Sequence, residues 1–279
     1  MTATVALGRV RAPGRIPASL ATIALIVAGV IALPVVVLVV RSLADGALVS
    51  EVGARVVLTA LGLSLATTAA SLALTIVAGV PLALLLARFT FRGKWLVEAF
   101  VDLPIVLPPS VAGLALLLVL GRRGLFGDPL AAIGVSIPFT TAAVVLAQTF
   151  VSAPFFIRSA RAGFTSVDHD LEDAARVDGG SEGAVFRLVT LPLAASALAA
   201  GLVMSWARSL GEFGATIMFA GNVEGRTQTL PLLVYGEFQA GDLDASIAAA
   251  AILVLAALGV LVAVRGLRWG AALDRRTLG

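Results

Sequence analysis

Arg208 and Glu212 stand four residues apart in a run that is otherwise apolar. A charge inside a membrane helix is costly and marks a polar pathway or a pair. At this spacing both side chains share one helix face. Two readings stand side by side. Arg208 lines an anion path or gate and Glu212 orients it, or the two form a mutually neutralising structural pair. A guanidinium suits oxyanions because its planar donors match their geometry. A path must also release its cargo, so a tight binding site is not expected. Ser209 and Thr216 lie on the same stretch and complete the set of path candidates. From a helix starting near Leu193, Arg208 lies about 22 Å along at 1.5 Å per residue. That is past the membrane midplane.

Other chemistries are excluded by composition. The chain has no cysteine, which rules out disulfides, thiolate metal sites and a cysteine nucleophile. Its one histidine, His169, cannot build a multi-histidine metal site and reads as loop surface. The pattern Gly-x-x-x-x-Gly-Lys-Ser/Thr is missing, so no phosphate-cradling loop is expected. No cofactor is expected either. An intramembrane hydrolase would need a nucleophile with a base, or paired acids within spans, and no apolar run holds two acids.

A second constellation lies between Ser166 and Pro192, the most polar stretch of the chain. Asp168 or Ser166 can cap a helix, and Asp170, Glu172 and Asp173 crowd its first turns, where the helix dipole favours acids. Leu171, Ala174, Ala175 and Val177 give it an apolar side. Gly179 and Gly180 supply a left-handed stop. Ser181 can cap a second short helix, and Pro192 opens the next apolar run. Two consecutive alanines make a small-residue surface that a partner's groove could accept closely. The alternative is a helix that merely caps a bundle.

The elements that carry these residues follow from composition. Of 279 residues, 59% are hydrophobic and only 13% charged. A soluble domain has about 45–50% apolar and about 25% charged residues, so the chain is not an ordinary soluble protein. The net charge is +3, but the arginines punctuate apolar runs and form no dense patch, which points away from nucleic acid. A membrane helix needs about 20 apolar residues. Six runs qualify: 16–40, 56–87, 103–121, 129–157, 188–207 and 245–264. They are too long and too uniformly apolar for barrel strands, and only helices or closed barrels satisfy the backbone in lipid. The expectation is an all-α membrane protein with six transmembrane helices. The first run exceeds the h-region of a signal peptide and no small-residue cleavage site follows it, so it reads as a retained span. The fourth run begins with a stretch that reads as loop. Pro104, Pro108 and Pro109 predict a broken or kinked start to the third span. Gly113 and Gly201 are candidates for close helix contact. Glu98 and Asp102, just before the prolines, read as solvated interfacial acids.

Basic residues set the orientation. With the N-terminus inside, fourteen Lys and Arg residues fall on inner segments, among them Arg9, Arg11, Arg15, Arg88, Lys94, Arg158, Arg161 and Arg176. Five fall outside: Arg41, Arg55, Arg122, Arg123 and Arg226. Both termini are therefore expected in the cytoplasm. The expected organisation is a cytoplasmic tail over 1–17, a membrane domain over 18–268 and a second tail over 269–279. No further C-terminal domain is expected.

The polar loop resembles the EAA loop of ABC importer permeases: Glu-Ala-Ala, three residues, Gly, nine residues, Ile, one residue, Leu-Pro. Here Asp173, Ala174 and Ala175 are followed by Gly179, and then by Val189, Thr190, Leu191 and Pro192 at the same spacing. Asp173 replaces the usual Glu, with Glu172 beside it, and Val189 replaces Ile. The stretch from Arg208 through Glu212 to Asn222 is similar to molybdate importer permeases, with a related version in sulfate permeases. The runs 103–113 and 141–154 agree, and the likeness covers roughly 58–264. The resemblance implies the six-helix type I permease fold and a bacterial inner-membrane location. It implies that Glu172, Asp173, Ala174, Ala175, Gly179, Leu191 and Pro192 belong to a coupling loop, about 161–192, that docks on a separate ATPase. It also implies a homodimer with two ATPase subunits, fed by a periplasmic or extracellular molybdate-binding protein. The cargo alternatives are sulfate, thiosulfate or tungstate. An autonomous anion channel would leave the loop pattern without a purpose.

Overall fold

In the computed structural model of the chain, residues 17–44 and 51–277 are described, without the side chains of 51–54 and 263–277. Arg9, Arg11 and Arg15, nearly all of the tail expected over 1–17, and the side chains of the tail expected over 269–279 lie outside the described residues. Every regular element among the described residues is helical. In chain order these are α1 (Ala18–Ala44), α2 (Glu51–Arg88), α3 (Lys94–Val106), α4 (Pro109–Leu120), α5 (Gly127–Ala132) and α6 (Thr141–Thr165). They are followed by α7 (His169–Val177), α8 (Glu182–Val185), a π-helical turn (Phe186–Thr190), α9 (Leu191–Leu210), α10 (Gly214–Ala220), α11 (Leu230–Ala240) and α12 (Leu243–Thr277).

Among the described residues, five helical stretches are long and apolar enough to cross a membrane: Ala18–Ala44, Arg55–Arg88, Thr141–Thr165, Glu182–Leu210 and Leu243–Val262. The third expected span, 103–121, differs. It is divided between α3 and α4, with Leu107 extended (ψ 134°) between them. Pro108 and Pro109 lack N–H donors, and a proline disfavours helix at the residue before it. Pro104 stays inside α3, one turn from the break. The twelve residues of α4 span only about 18 Å at 1.5 Å per residue, short of the ~30 Å hydrocarbon core. The start of the fourth run, expected as a loop, is the short helix α5 followed by a non-helical stretch. α6 begins only at Thr141, where Thr140 accepts the Ala143 N–H at 3.3 Å.

α6 is the hub. α2 and α9 pack along it through Ala83, Leu86, Phe156, Ile157, Ala160, Phe164 and Ala194. Without a hydrophobic drive between helices in lipid, close approach depends on small residues. A Cβ on Gly201 would sit 2.6 Å from Ser159 Cβ, and one on Gly163 would sit 2.7 Å from Ala197 Cβ. A second cluster joins α4, α6 and α10 through Ala112, Val144, Ala147, Ala215 and Phe219. Here Gly113 lets α4 close on α10: a Cβ would lie 2.6 Å from the Ala215 carbonyl. Both glycines named from the sequence thus mark close contacts. α11 packs against α2 and α12 through Val57, Ala60, Leu230, Leu233 and Ala249. The Leu230 N–H donates to Ser64 Oγ at 2.7 Å.

The two ends of the bundle differ in chemistry. At one end Arg161 meets Glu98 at 2.8 Å and Arg158 meets Asp102 at 3.5 Å. These acids are ion-paired between α3 and α6, not merely solvated as the sequence suggested. They line a cavity of about 490 Å³. The α7–α8 segment closes the same end, because α6 runs directly into it. At the other end Thr141 donates to the Arg226 carbonyl at 2.8 Å.

Candidate functional site

The polar loop folds as two short helices. Asp168 caps α7 by accepting the Asp170 N–H at 3.0 Å. Gly179 takes φ +89°, the left-handed stop expected there. Asp178, Gly179 and Gly180 donate their N–H groups back to the Ala174, Arg176 and Ala175 carbonyls. Ser181 caps α8 by accepting the Ala184 N–H at 3.4 Å. The helix then continues without interruption into α9. Pro192 does not open a new helix, as the sequence suggested, but sits inside a continuous run from Glu182 to Leu210. A proline lacks the donor and crowds the carbonyl four residues back. The chain meets this with the π-helical turn just before it, where the Leu191 N–H donates to the Phe186 carbonyl.

The two faces of α7 differ in burial. Its apolar side does not pack on the chain: Leu171 is 50% and Val177 86% exposed. Ala174 is exposed and Ala175 half-buried. The one buried side chain of α7 is Glu172. Its Oε1 accepts from Arg88 Nη2 at 2.7 Å and from Thr190 Oγ1 at 2.5 Å. Arg88 Nη1 also lies 2.9 Å from His169 Nε2 and donates to the Val167 carbonyl at 3.4 Å. His169 is surface-exposed, as expected, but it borders this ion pair. Asp173 points outward and pairs with Arg176 at 2.6 Å, and Arg176 pairs with Glu182 at 2.8 Å. The hydrogen bonds to Glu182 and then Asp173 raise the Arg176 pKa, and the bond from Arg176 lowers that of Glu182. This exposed clasp ties α7 to α8 across the Gly179 turn. Leu191 is half-buried and Pro192 exposed.

The second candidate group lies at the far end of α9, about 25 Å along the helix from Leu191 at 1.5 Å per residue. α9 ends at Leu210, so Glu212 is not on the helix face with Arg208. It sits in the turn after it, because its Oε1 accepts the Ala215 N–H at 2.7 Å and caps α10. Its other oxygen still meets Arg208 Nη1 at 2.6 Å. Glu212 is 1% exposed and the Arg208 side chain 29%. The buried carboxylate therefore holds an arginine whose side chain is itself only partly buried. Ser209 and Thr216 are fully buried within the chain. Gly214 brings this turn against the α3–α4 break: a Cβ there would lie 2.6 Å from Pro109 Cβ.

The geometry thus yields two separate groups joined by α9. Sequence reading missed Arg88 and Thr190 as partners of Glu172. It counted Arg88 only as a topology charge, and Thr190 only as spacing. No group of three or more potential metal ligands exists among the described residues.

Residues 79–278 match the family described as binding-protein-dependent transport system inner membrane component. The molybdenum transport system permease protein ModB of Mycobacterium tuberculosis is 47% identical over 206 residues, 74% of this chain and 78% of that protein. The protein of the same name from Escherichia coli K12 is 39% identical over 204 residues, 72% of this chain and 87% of that one. Among solved structures, an inward-facing form of the MetNI methionine ABC transporter matches with TM-score 0.62 and 19% identity. The match covers 78% of this chain and 97% of that one.

Proposed function

Because the chain belongs to the family of binding-protein-dependent transport inner membrane components, we propose that it forms the transmembrane path of an ATP-driven molybdate importer. Two copies of the chain face each other across a two-fold axis and work with two copies of a separate ATPase and one external binding protein. Both termini lie in the cytoplasm, as the basic-residue bias favours.

The observation that carries the ATPase partner is the unpartnered side of α7. Leu171, Ala174 and Val177 face outward at the same end as the Arg158–Asp102 and Arg161–Glu98 pairs, while Glu172 secures the opposite face. A nine-residue helix is too short to be stable alone, and one pinned by a single buried side chain presents a surface suited to a groove. Asp173, Ala174, Ala175 and Gly179 shape that surface, and Glu172 holds it from behind. Leu191 and Pro192 lie where the push enters α9. ATP-driven closure of the ATPases displaces α7 and swings α2, α6 and α9 between inward-open and outward-open states.

Molybdate as cargo is supported by the names of the relatives at 39–47% identity. Arg208 faces the path with its free donors, and Glu212 holds it in place. Ser209 and Thr216 back this turn from within. The ion pair lowers the net charge that a passing dianion meets, which suits a path that must let go of its cargo. Cargo selection belongs mainly to the binding protein.

The test is labelled-molybdate uptake into proteoliposomes holding this chain, its ATPase and its binding protein, with and without ATP and with excess sulfate. ATP-dependent uptake that resists sulfate is expected. Uptake abolished by sulfate moves the cargo to sulfate. Competition by tungstate is expected, because the two tetrahedral ions are nearly the same. Flux without ATP overturns the importer reading and leaves a channel.

A further inference from the structure

We propose that Arg88 is a positioning residue of the coupling step: through Glu172 it locks α7 to the end of α2, so that a displacement of α7 moves α2 and α9 as one body. The inference rests on the ATPase-docking reading of α7.

The argument starts from what holds α7. A short helix on a protein surface is ordinarily docked by an apolar stripe. α7 is docked by a carboxylate. The Glu172 side chain is 6% exposed and that of Arg88 10%. A single oxygen, Glu172 Oε1, receives Arg88 Nη2 from the last turn of α2 and Thr190 Oγ1 from the π-helical turn that leads into α9. Arg88 reaches further, to the Val167 carbonyl where α6 passes into α7. Four segments therefore meet at one charge pair: α2, the α6–α7 junction, α7 and the head of α9.

The surroundings make the tie necessary. A cavity of about 350 Å³ opens beside the pair, lined by Leu84, Arg88, Phe89, Glu172, Phe186 and Thr190 among others. Apolar packing does not fill the gap between α7 and α2, so the polar bridge spans it. An apolar contact lets surfaces slide, whereas charge-assisted hydrogen bonds fix direction and distance. A bridge of this kind transmits a pull as well as a push. Arg88 also stands at the C-terminus of α2, where the helix dipole favours a cation, so the guanidinium is held from its own side too. The role is distinct from docking. Glu172 and Arg88 face the body of the chain, while Leu171, Val177 and Asp173 face outward.

The experiment uses the reconstituted complex of full-length chain, ATPase and binding protein. It reads molybdate taken up per ATP hydrolysed, together with the amount of assembled complex. Arg88→Ala is expected to leave ATPase association and ATP hydrolysis within about twofold of wild type and to lower the uptake-to-hydrolysis ratio at least tenfold. Arg88→Lys, which keeps the charge but loses the forked geometry, falls between. The double exchange Arg88→Glu with Glu172→Arg recovers part of the ratio, which a general loss of stability does not produce. Should Arg88→Ala fail to insert, Arg88→Lys and Thr190→Val carry the test, and each must lower the ratio more than it lowers hydrolysis. A wild-type ratio in Arg88→Ala overturns the proposal. So does a parallel fall of uptake, hydrolysis and assembled complex, which marks a purely structural role. A wild-type complex that takes up molybdate without coupling to ATP overturns the docking reading itself, and is told apart by the wild-type control.

Discussion

Gly179 offers a graded test of the coupling turn. Its φ of +89° lies in the left-handed region, and a Cβ built on it meets nothing within 4 Å. A substitution there meets no steric clash from neighbours, so its cost is backbone strain alone. That strain is about 1–2 kcal/mol for an L-residue with a Cβ in this region, lower for asparagine and higher for a β-branched side chain. At 1.4 kcal/mol per factor of ten, alanine shifts the turn toward an unwound form by roughly 5–30-fold, and valine by more. The strain falls on the hydrogen bonds from Gly179 to the Arg176 carbonyl and from Gly180 to the Ala175 carbonyl, both 3.0 Å. These close the end of α7 that carries Ala174, Ala175 and Val177. The helical bundle lies elsewhere, so insertion and the thermal unfolding midpoint of the chain stay unchanged. The assay is the initial rate of ATP-driven molybdate uptake in the series Gly, Asn, Ala and Val at position 179. The rate should fall in that order, with Gly179→Val at least tenfold below wild type at equal amounts of inserted protein. Wild-type uptake by Gly179→Val would remove this turn from the mechanism. A fall that merely follows lost protein would refute the claim that the strain is local.

Two glycines in apolar helices should respond to alanine with opposite signs. Gly113→Ala places a methyl 2.6 Å from the Ala215 carbonyl and 2.7 Å from Met218 Cβ, an overpacking that costs about 1–3 kcal/mol; Gly62→Ala has open space and gains about 0.5–1 kcal/mol of helix preference. Thermal unfolding in detergent should show the first variant below and the second above wild type, and equal shifts would contradict the packing of α4 on α10. The exposed Arg176–Glu182 clasp should be insensitive to mild acid. Arg176 holds the Glu182 carboxyl below its ordinary value of 4.5, so the clasp contributes above that value and is lost only as pH falls through the lowered one. A carboxyl-carbon NMR titration should find the Glu182 midpoint below 4.5 in the wild type and back near it in Arg176→Ala; the same midpoint in both would dissolve the clasp.

What the sequence revealed and what it hid divide along local and non-local lines. The caps at Asp168 and Ser181, the stop at Gly179 and the break before Pro109 are local effects. Each depends on one residue's donors, acceptors or allowed dihedrals, and each appears where those residues stand. The close contacts at Gly113 and Gly201 were legible as residue type but not as partners, because a glycine does not say which helix approaches it. The buried role of Glu172 was hidden for a related reason. Its partner Arg88 is 84 positions away in sequence, and in a polar loop a glutamate among aspartates carries no mark of burial. The helical spacing did mark the open side, since Leu171, Ala174 and Val177 are exposed where the sequence offered a small-residue surface.

Glu212 carries the same lesson further. Spacing of four placed it with Arg208 on one helix, and the pair does form at 2.6 Å, but across a helix end. The chain leaves α9 at Gly211, and the Glu212 carboxylate then has two tasks: it caps α10 with one oxygen and holds Arg208 with the other. Removing its charge should therefore disturb more than an ion pair, because the N-terminus of α10 and its contact with α4 at Gly113 and Pro109 depend on the same oxygen atoms. A buried acid anchors the junction of α9 and α10, and in doing so it fixes where the Arg208 side chain lies.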